Sequence, residues 1–153
     1  MAESPPPPLI TVNSCPFQIL LSEAPIEPAA AVFGDEEGAE CQFLGTVRHM
    51  EDGKRICGID YSAYRPMADQ ELQRLCERAQ REHPGHRVYL QHRLGFVAAQ
   101  VPSIVIRVTT KHSAASFELC QWYLGAIKTR VPIWKKPVWE STGAFKKPSG
   151  DES

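Results

Sequence analysis

The sequence predicts an α+β domain, with a largely antiparallel sheet and helices packed on one face. Three observations predict it. Ser103–Thr109 (SIVIRVT) is a β-branched run of the kind that packs well on a pleated surface. Asp52-Gly53 joins two strand-like stretches as a tight hairpin turn does. Ala114–Arg130 carries Phe117, Cys120, Leu124, Ile127 and, just beyond it, Val131 along one helical stripe, and Pro132 stops it.

The elements follow in chain order. Residues 1–14 contain four consecutive prolines, Pro5 to Pro8, which donate no backbone hydrogen bonds and favour extended chain, so a disordered tail is expected there. Pro16–Leu21 reads as a first strand. Pro25–Phe33 reads as a short helix, with Pro28 near its start and Gly34 as its stop. Glu40–Val47 (ECQFLGTV) is a strand, and Gly45 within it marks a bulge or a close backbone approach. After the Glu51–Lys54 turn, Ile56–Tyr64 returns as a strand. Met67–Glu82 is helical, because Leu72, Leu75, Cys76 and Ala79 fall three and four residues apart, and His83-Pro84-Gly85 ends it. Arg87–Leu94 and Ser103–Thr109 are further strands. The total is three helices. Residues 141–153 show no apolar periodicity and read as a second flexible tail, leaving 15–140 as the domain.

Composition narrows the function. The 153 residues (17.1 kDa) suit one domain with a real core, at 42% hydrophobic and 23% charged residues. A net charge of −1 and a pI near 6.5 argue against a nucleic-acid or membrane-surface binder. No apolar run approaches the roughly 20 residues of a membrane helix. The first residues, MAESPPPPLI, lack the basic and apolar regions of a secretory leader. The five cysteines are odd in number, scattered and without a C-x-x-C pair, so a reducing cytoplasmic setting is expected.

Cations mark the candidate site. Lys128 and Arg130 occupy the last turn of the long helix, Trp134 follows as a large apolar anchor, and Lys135-Lys136 come next. Lysine and arginine at a helix C-terminus oppose the negative end of its dipole, which accounts for the first two. Two more lysines beyond a proline and a tryptophan also fit an anion site. At the other end of this helix, Lys111-His112-Ser113 stands where unpaired N–H groups favour a phosphate or carboxylate, and where Ser113 could equally be a plain cap. Arg48 leaves a strand beside Gly45-Thr46-Val47, suited either to bidentate anion recognition or to an edge-strand charge. His92-Arg93-Leu94-Gly95 is a fourth basic group, read as structural. There is no G-x-G-x-x-G, P-loop, H-E-x-x-H or G-x-S-x-G motif, and acidic residues are not grouped to hold a metal.

With these pieces in order the chain resembles the MoaE family, the large catalytic subunits of molybdopterin synthase. The likeness rests on Phe43-Leu-Gly-Thr-Val-Arg48, Tyr61-Ser-Ala-Tyr-Arg-Pro-Met67, His92-Arg-Leu-Gly95, Lys111-His-Ser-Ala-Ala-Ser-Phe-Glu118 and Lys128-Thr-Arg-Val-Pro-Ile-Trp-Lys-Lys136, and covers about Pro16 to Trp139. It implies an α/β-hammerhead type of fold. It also implies a homodimer that binds two ubiquitin-like small subunits as a heterotetramer. Sulfur would pass from the small subunit's C-terminal thiocarboxylate to cyclic pyranopterin monophosphate (precursor Z), making the dithiolene of molybdopterin. No cofactor or metal is implied. Carried over residue by residue, Lys128 and Lys135 are the catalytic lysines, and Thr46, Val47, Arg48, His112, Ser113, Lys136 and Pro137 bind substrate. The chain departs from the family pattern at Ser113, where an arginine is usual, and at Pro137, where a glutamate is common. Those two positions are what an alternative would rest on: a non-catalytic relative that binds a ubiquitin-like subunit through a weakened pterin site.

Overall fold

The computed structural model describes residues 16–141. Apart from Ser141, the tails expected over 1–14 and 141–153 lie outside the described residues. Eight strands and two helices form an α+β fold built on two sheets.

The larger sheet has the order β1 (Phe17–Ser22), β5 (Arg87–Arg93), β7 (Pro102–Thr110), β2 (Ala39–Thr46). Only the β1–β5 pair is parallel; its other pairs run antiparallel. Strand alternation points Val88 and Leu90 of β5, and Ile106 and Val108 of β7, toward the main core. Helix α1 (Arg65–Glu82) adds Ala68, Leu72, Leu75, Cys76 and Ala79 to that core, matching the expected stripe. The His83 N–H caps α1 on Ala79, and Gly85 turns the chain at φ +96°.

Helix α2 (Ser113–Arg130) buries Ser116, Leu119, Cys120, Tyr123, Ala126 and Ile127. The expected stripe is therefore corrected. Phe117 is 66% exposed and Leu124 only half-buried, while Leu119 and Tyr123 take the inner face. Apolar residues lie all around α2, so periodicity alone does not single out its buried side. Cys120 Sγ reaches the carbonyl oxygen of Ile106, 3.9 Å away, so the helix middle lies over the middle of β7. The helix thus runs back along the strand it follows, and its last turn comes to the end of the sheet where β7 begins.

The smaller sheet has the hairpin β3 (Met50–Glu51) and β4 (Lys54–Ala63), with β6 (Gly95–Ala98) on one side of β4 and β8 (Ile133–Trp139) on the other. Asp52 and Gly53 adopt φ +51° and +76°, the left-handed pair that a two-residue hairpin turn needs. Val47, Ile56, Ile59 and Val97 form a second core here. β6 and β8 are strands that the sequence reading did not delimit.

The expected helix at Pro25–Phe33 does not form, so the described residues hold two helices rather than the expected three. The segment is an extended strap across the face of the larger sheet opposite the helices. Side chains of the sheet hold its carbonyl groups. Gln91 donates to Ala24 and Pro25 at 3.3 Å each, Arg107 to Ala30 at 3.3 Å, and Arg87 to Val32 at 2.7 Å. Pro25 and Pro28 withhold the N–H groups that a helix would need. Arg87 and Arg107 also pair with Glu37 and Glu40 at 2.8 and 3.0 Å, and the Arg87 contact holds the Glu37 carboxyl below the usual range.

One buried histidine ties the helices together. His86 Nδ1 donates to the His83 carbonyl at 2.6 Å, so its Nε2 accepts from the Tyr123 hydroxyl at 2.7 Å. Burial pushes the His86 pKa below the ordinary 6.5. The unfolded chain therefore takes up a proton at a higher pH than the folded one, and stability is lost as pH falls below about 6.5. The melting temperature should drop between pH 7.5 and 5.5, with a shallower drop in His86→Gln. Equal slopes in the two proteins would remove His86 as the cause.

Candidate functional site

β2 ends with a register shift between Gly45 and Thr46, as expected of that glycine; an added Cβ there would meet Ile104 at 2.7 Å. The chain then passes through Thr46, which is exposed, and Val47, only 1% exposed and bonded through its N–H to Val101 at 3.1 Å. Arg48 follows with its side chain 76% exposed, and its single ion pair, to Glu51, is long at 3.9 Å. A pair so exposed contributes little, so the guanidinium stays available to another anion.

Lys128 projects from the last turn of α2, exposed to solvent. The Val131 N–H closes the helix on Ile127, and β8 begins two residues later. In the ladder with β4, Lys135 stands opposite Tyr61, Lys136 opposite Asp60 and Pro137 opposite Ile59. Alternation therefore places Lys135 and Pro137 on one face and Lys136 on the other. Pro137 is tolerated because β8 pairs with β4 alone among the described strands. Trp134 is 56% exposed, so it is not the buried anchor its size suggested. Among the described residues, Lys128, Lys135 and Lys136 form no ion pair with a carboxylate. Of the three, Lys136 alone has a carboxylate set opposite it in the ladder, that of Asp60.

His112 and Ser113 are not brought to this end. His112 is the N-cap of α2 without a side-chain capping bond, and Ser113 is the first helical residue, so the expected serine cap is absent. Both are exposed. The first turn has no acidic residue, and a cavity of about 590 Å³ beside it is lined by Lys111 and His112 but also by Glu36, Glu37 and Glu118. Fifteen residues of helix rise separate Ser113 from Lys128, about 22 Å. Within one chain the two groups cannot touch one small ligand.

The sequence reading overlooked a polar cluster beneath the lysine end. Tyr61 donates its hydroxyl to Ser103 Oγ at 3.3 Å and meets the His92 ring edge-on, with centroids 5.0 Å apart. The signal was present in Tyr61 and in His92-Arg93-Leu94-Gly95, but only pairing across both sheets joins them. Burial pushes the Cys120 thiol up to about 12, which suits packing.

Two sheets and two helices, with exposed lysines in the last turn of α2 and on β8, define an α+β protein with a cationic surface where that helix ends and that strand begins. The profile of the family described as MoaE protein matches residues 21–130, and the chain belongs to that family. A Bos taurus relative called molybdopterin synthase catalytic subunit is 37% identical over 107 residues, 70% of this chain and 57% of that protein. A Thermoplasma volcanium protein of the same name is 34% identical over 117 residues, 76% of this chain and 85% of its own length. The crystal structure of molybdopterin synthase from Staphylococcus aureus superposes with a TM-score of 0.70 at 28% identity, covering 84% of this chain and 94% of that one. The chain spans 56–58% of the length of the mammalian relatives it matches.

Proposed function

We propose that this protein is the catalytic subunit of a molybdopterin synthase. It takes sulfur from the C-terminal thiocarboxylate of a ubiquitin-like small subunit and transfers it to precursor Z in molybdenum cofactor biosynthesis, in the cytoplasm. The observation that carries this reading is the set of three lysines without carboxylate partners. A thiocarboxylate and a phosphate repel one another, and fixed cations offset that cost and stabilise charge that develops as sulfur is transferred. Lys128 lies at the incoming thiocarboxylate. Lys135, one strand face away from Lys136, stabilises charge on the pterin side chain. Thr46, Val47 and Arg48 bound the pterin from the other sheet, with Lys136 and Pro137 at its rim.

The roughly 22 Å between Ser113 and Lys128 supports a homodimer in which the α2 start of a second copy faces the lysines of the first, each copy carrying one small subunit. The phosphate then meets His112 and Ser113 across the interface. Ser113→Arg adds a charge-assisted, bidentate phosphate contact worth about 1.5–3 kcal/mol. Precursor Z should bind about ten- to a hundredfold more tightly by titration calorimetry. An unchanged affinity would place the phosphate elsewhere.

The reading is tested by mixing the chain with thiocarboxylated small subunit and precursor Z and following molybdopterin. Product formation is expected. Binding of the small subunit without product would favour the non-catalytic alternative, which rests on Ser113 and Pro137.

A further inference from the structure

The sulfur-transfer reading leaves a chemical step without a residue. When the thiocarboxylate sulfur bonds to a pterin carbon, the small subunit becomes joined to the pterin as an acyl thioester. Freeing it requires water to attack the acyl carbon, and an uncharged water is a poor nucleophile without a base.

His92 stands against Tyr61, the residue that faces Lys135 across the β4–β8 ladder. It continues the row Val88, Leu90 on the helix-covered face of β5, at the end where β7 begins. Its Nδ1 is 2.8 Å from the Arg93 carbonyl oxygen and must donate there, which leaves Nε2 with a bare lone pair. Nε2 has no hydrogen-bond partner among the described residues. It is also not sealed, because the buried side-chain nitrogen or oxygen without a partner among those residues is Arg93 Nε. Burial holds His92 below the ordinary histidine range, which favours the neutral ring with its lone pair on Nε2. The surrounding groups are Tyr61 from β4, Ser103 from β7, Lys135 from β8 and Arg93 on its own strand, with Glu23 beyond β1 beside Gly95.

We propose that His92 is a further catalytic residue of this site, the general base that activates the water releasing the small subunit after sulfur transfer. The inference rests on the sulfur-transfer reading above. The water oxygen bonds to the acyl carbon as one of its protons passes to His92 Nε2. The carbon–sulfur bond breaks, and its electron pair stays on the pterin sulfur as a thiolate. The small subunit leaves as a carboxylate, and its second water-derived proton goes to solvent. No electrons are gained or lost, and no co-reactant beyond water is needed.

Single turnover with thiocarboxylated small subunit and precursor Z, followed by intact-protein mass, tests the assignment. In His92→Gln the thioester adduct of small subunit and pterin should form within a few-fold of the wild-type rate. Its decay should slow about a hundredfold, the scale of a lost general base. Hydroxylamine, a stronger nucleophile, should clear the accumulated adduct. Adduct decay at the wild-type rate, or slowed formation in place of slowed decay, overturns the proposal. If circular dichroism shows His92→Gln unfolded, wild-type adduct decay from pH 8 to 5 decides: a fall at the acid end supports His92, and a flat profile overturns it. A wild-type protein that makes no molybdopterin defeats the sulfur-transfer reading itself, whereas wild-type turnover with unaffected variants defeats only the role of His92.

Discussion

Lys128→Ala should cut sulfur transfer by about a hundredfold or more while leaving the melting temperature nearly unchanged. The activity loss is the scale seen when one preorganised cation or donor is removed from developing charge. The stability term is small because an exposed lysine in a last helical turn contributes a dipole interaction below about 1 kcal/mol. Lys135→Ala should behave alike, since its side chain lies on the Tyr61 face of β8. Lys136→Ala should be milder, because it stands opposite Asp60 on the other face. Single-turnover assays and thermal melts on the three variants separate chemistry from scaffolding. Near-normal transfer by both Lys128→Ala and Lys135→Ala would show that the active site has been misplaced.

The largest effect on stability is expected from Gly58→Ala. A Cβ at Gly58 would collide with the Val97 carbonyl oxygen and lie 2.6 Å from Cζ of Phe96. A side-chain tip can swing aside, but a backbone oxygen within the β4–β6 ladder cannot move without breaking pairing. The cost should reach about 3 kcal/mol, the upper part of the overpacking range. Because β4 also carries β8, the variant should lose sulfur transfer although no functional side chain has changed. Gly125→Ala provides the contrast. Nothing lies within 4 Å of its added Cβ, and alanine in a helix interior should gain about 0.5–1 kcal/mol. Thermal melts that rank the two variants equally would reject the steric explanation.

Elements with strong local signals were legible in the sequence. The β-branched run at 103–109, the Asp52-Gly53 turn and the α1 stripe each specify their structure within a few residues, and the structure follows them. The 25–33 strap was not legible, because what shapes it lies 55 to 77 residues away in Gln91, Arg87 and Arg107. β8 was hidden for a related reason: seven residues with a proline and two lysines read as a strand only once β4 lies beside them. The proposed site divides in the same way. Lys128, Lys135 and Arg48 announced themselves through charge next to a helix end or a glycine. His92 did not, since a histidine finishing a strand looks structural until Tyr61 arrives from the other sheet.

The length of α2 carries a consequence of its own. Its eighteen residues follow directly on His112 and carry Lys128 near their far end, so the helix fixes both the spacing and the angle between two groups proposed to bind substrate. A point substitution on its surface alters neither. One inserted or deleted residue shifts the far group by about 1.5 Å and turns it by about 100°, since a turn takes 3.6 residues. Drift in this segment should therefore run through exchanges and almost never through gaps. The strap, a surface connection that sets no such helical phase, is where changes in length can accumulate.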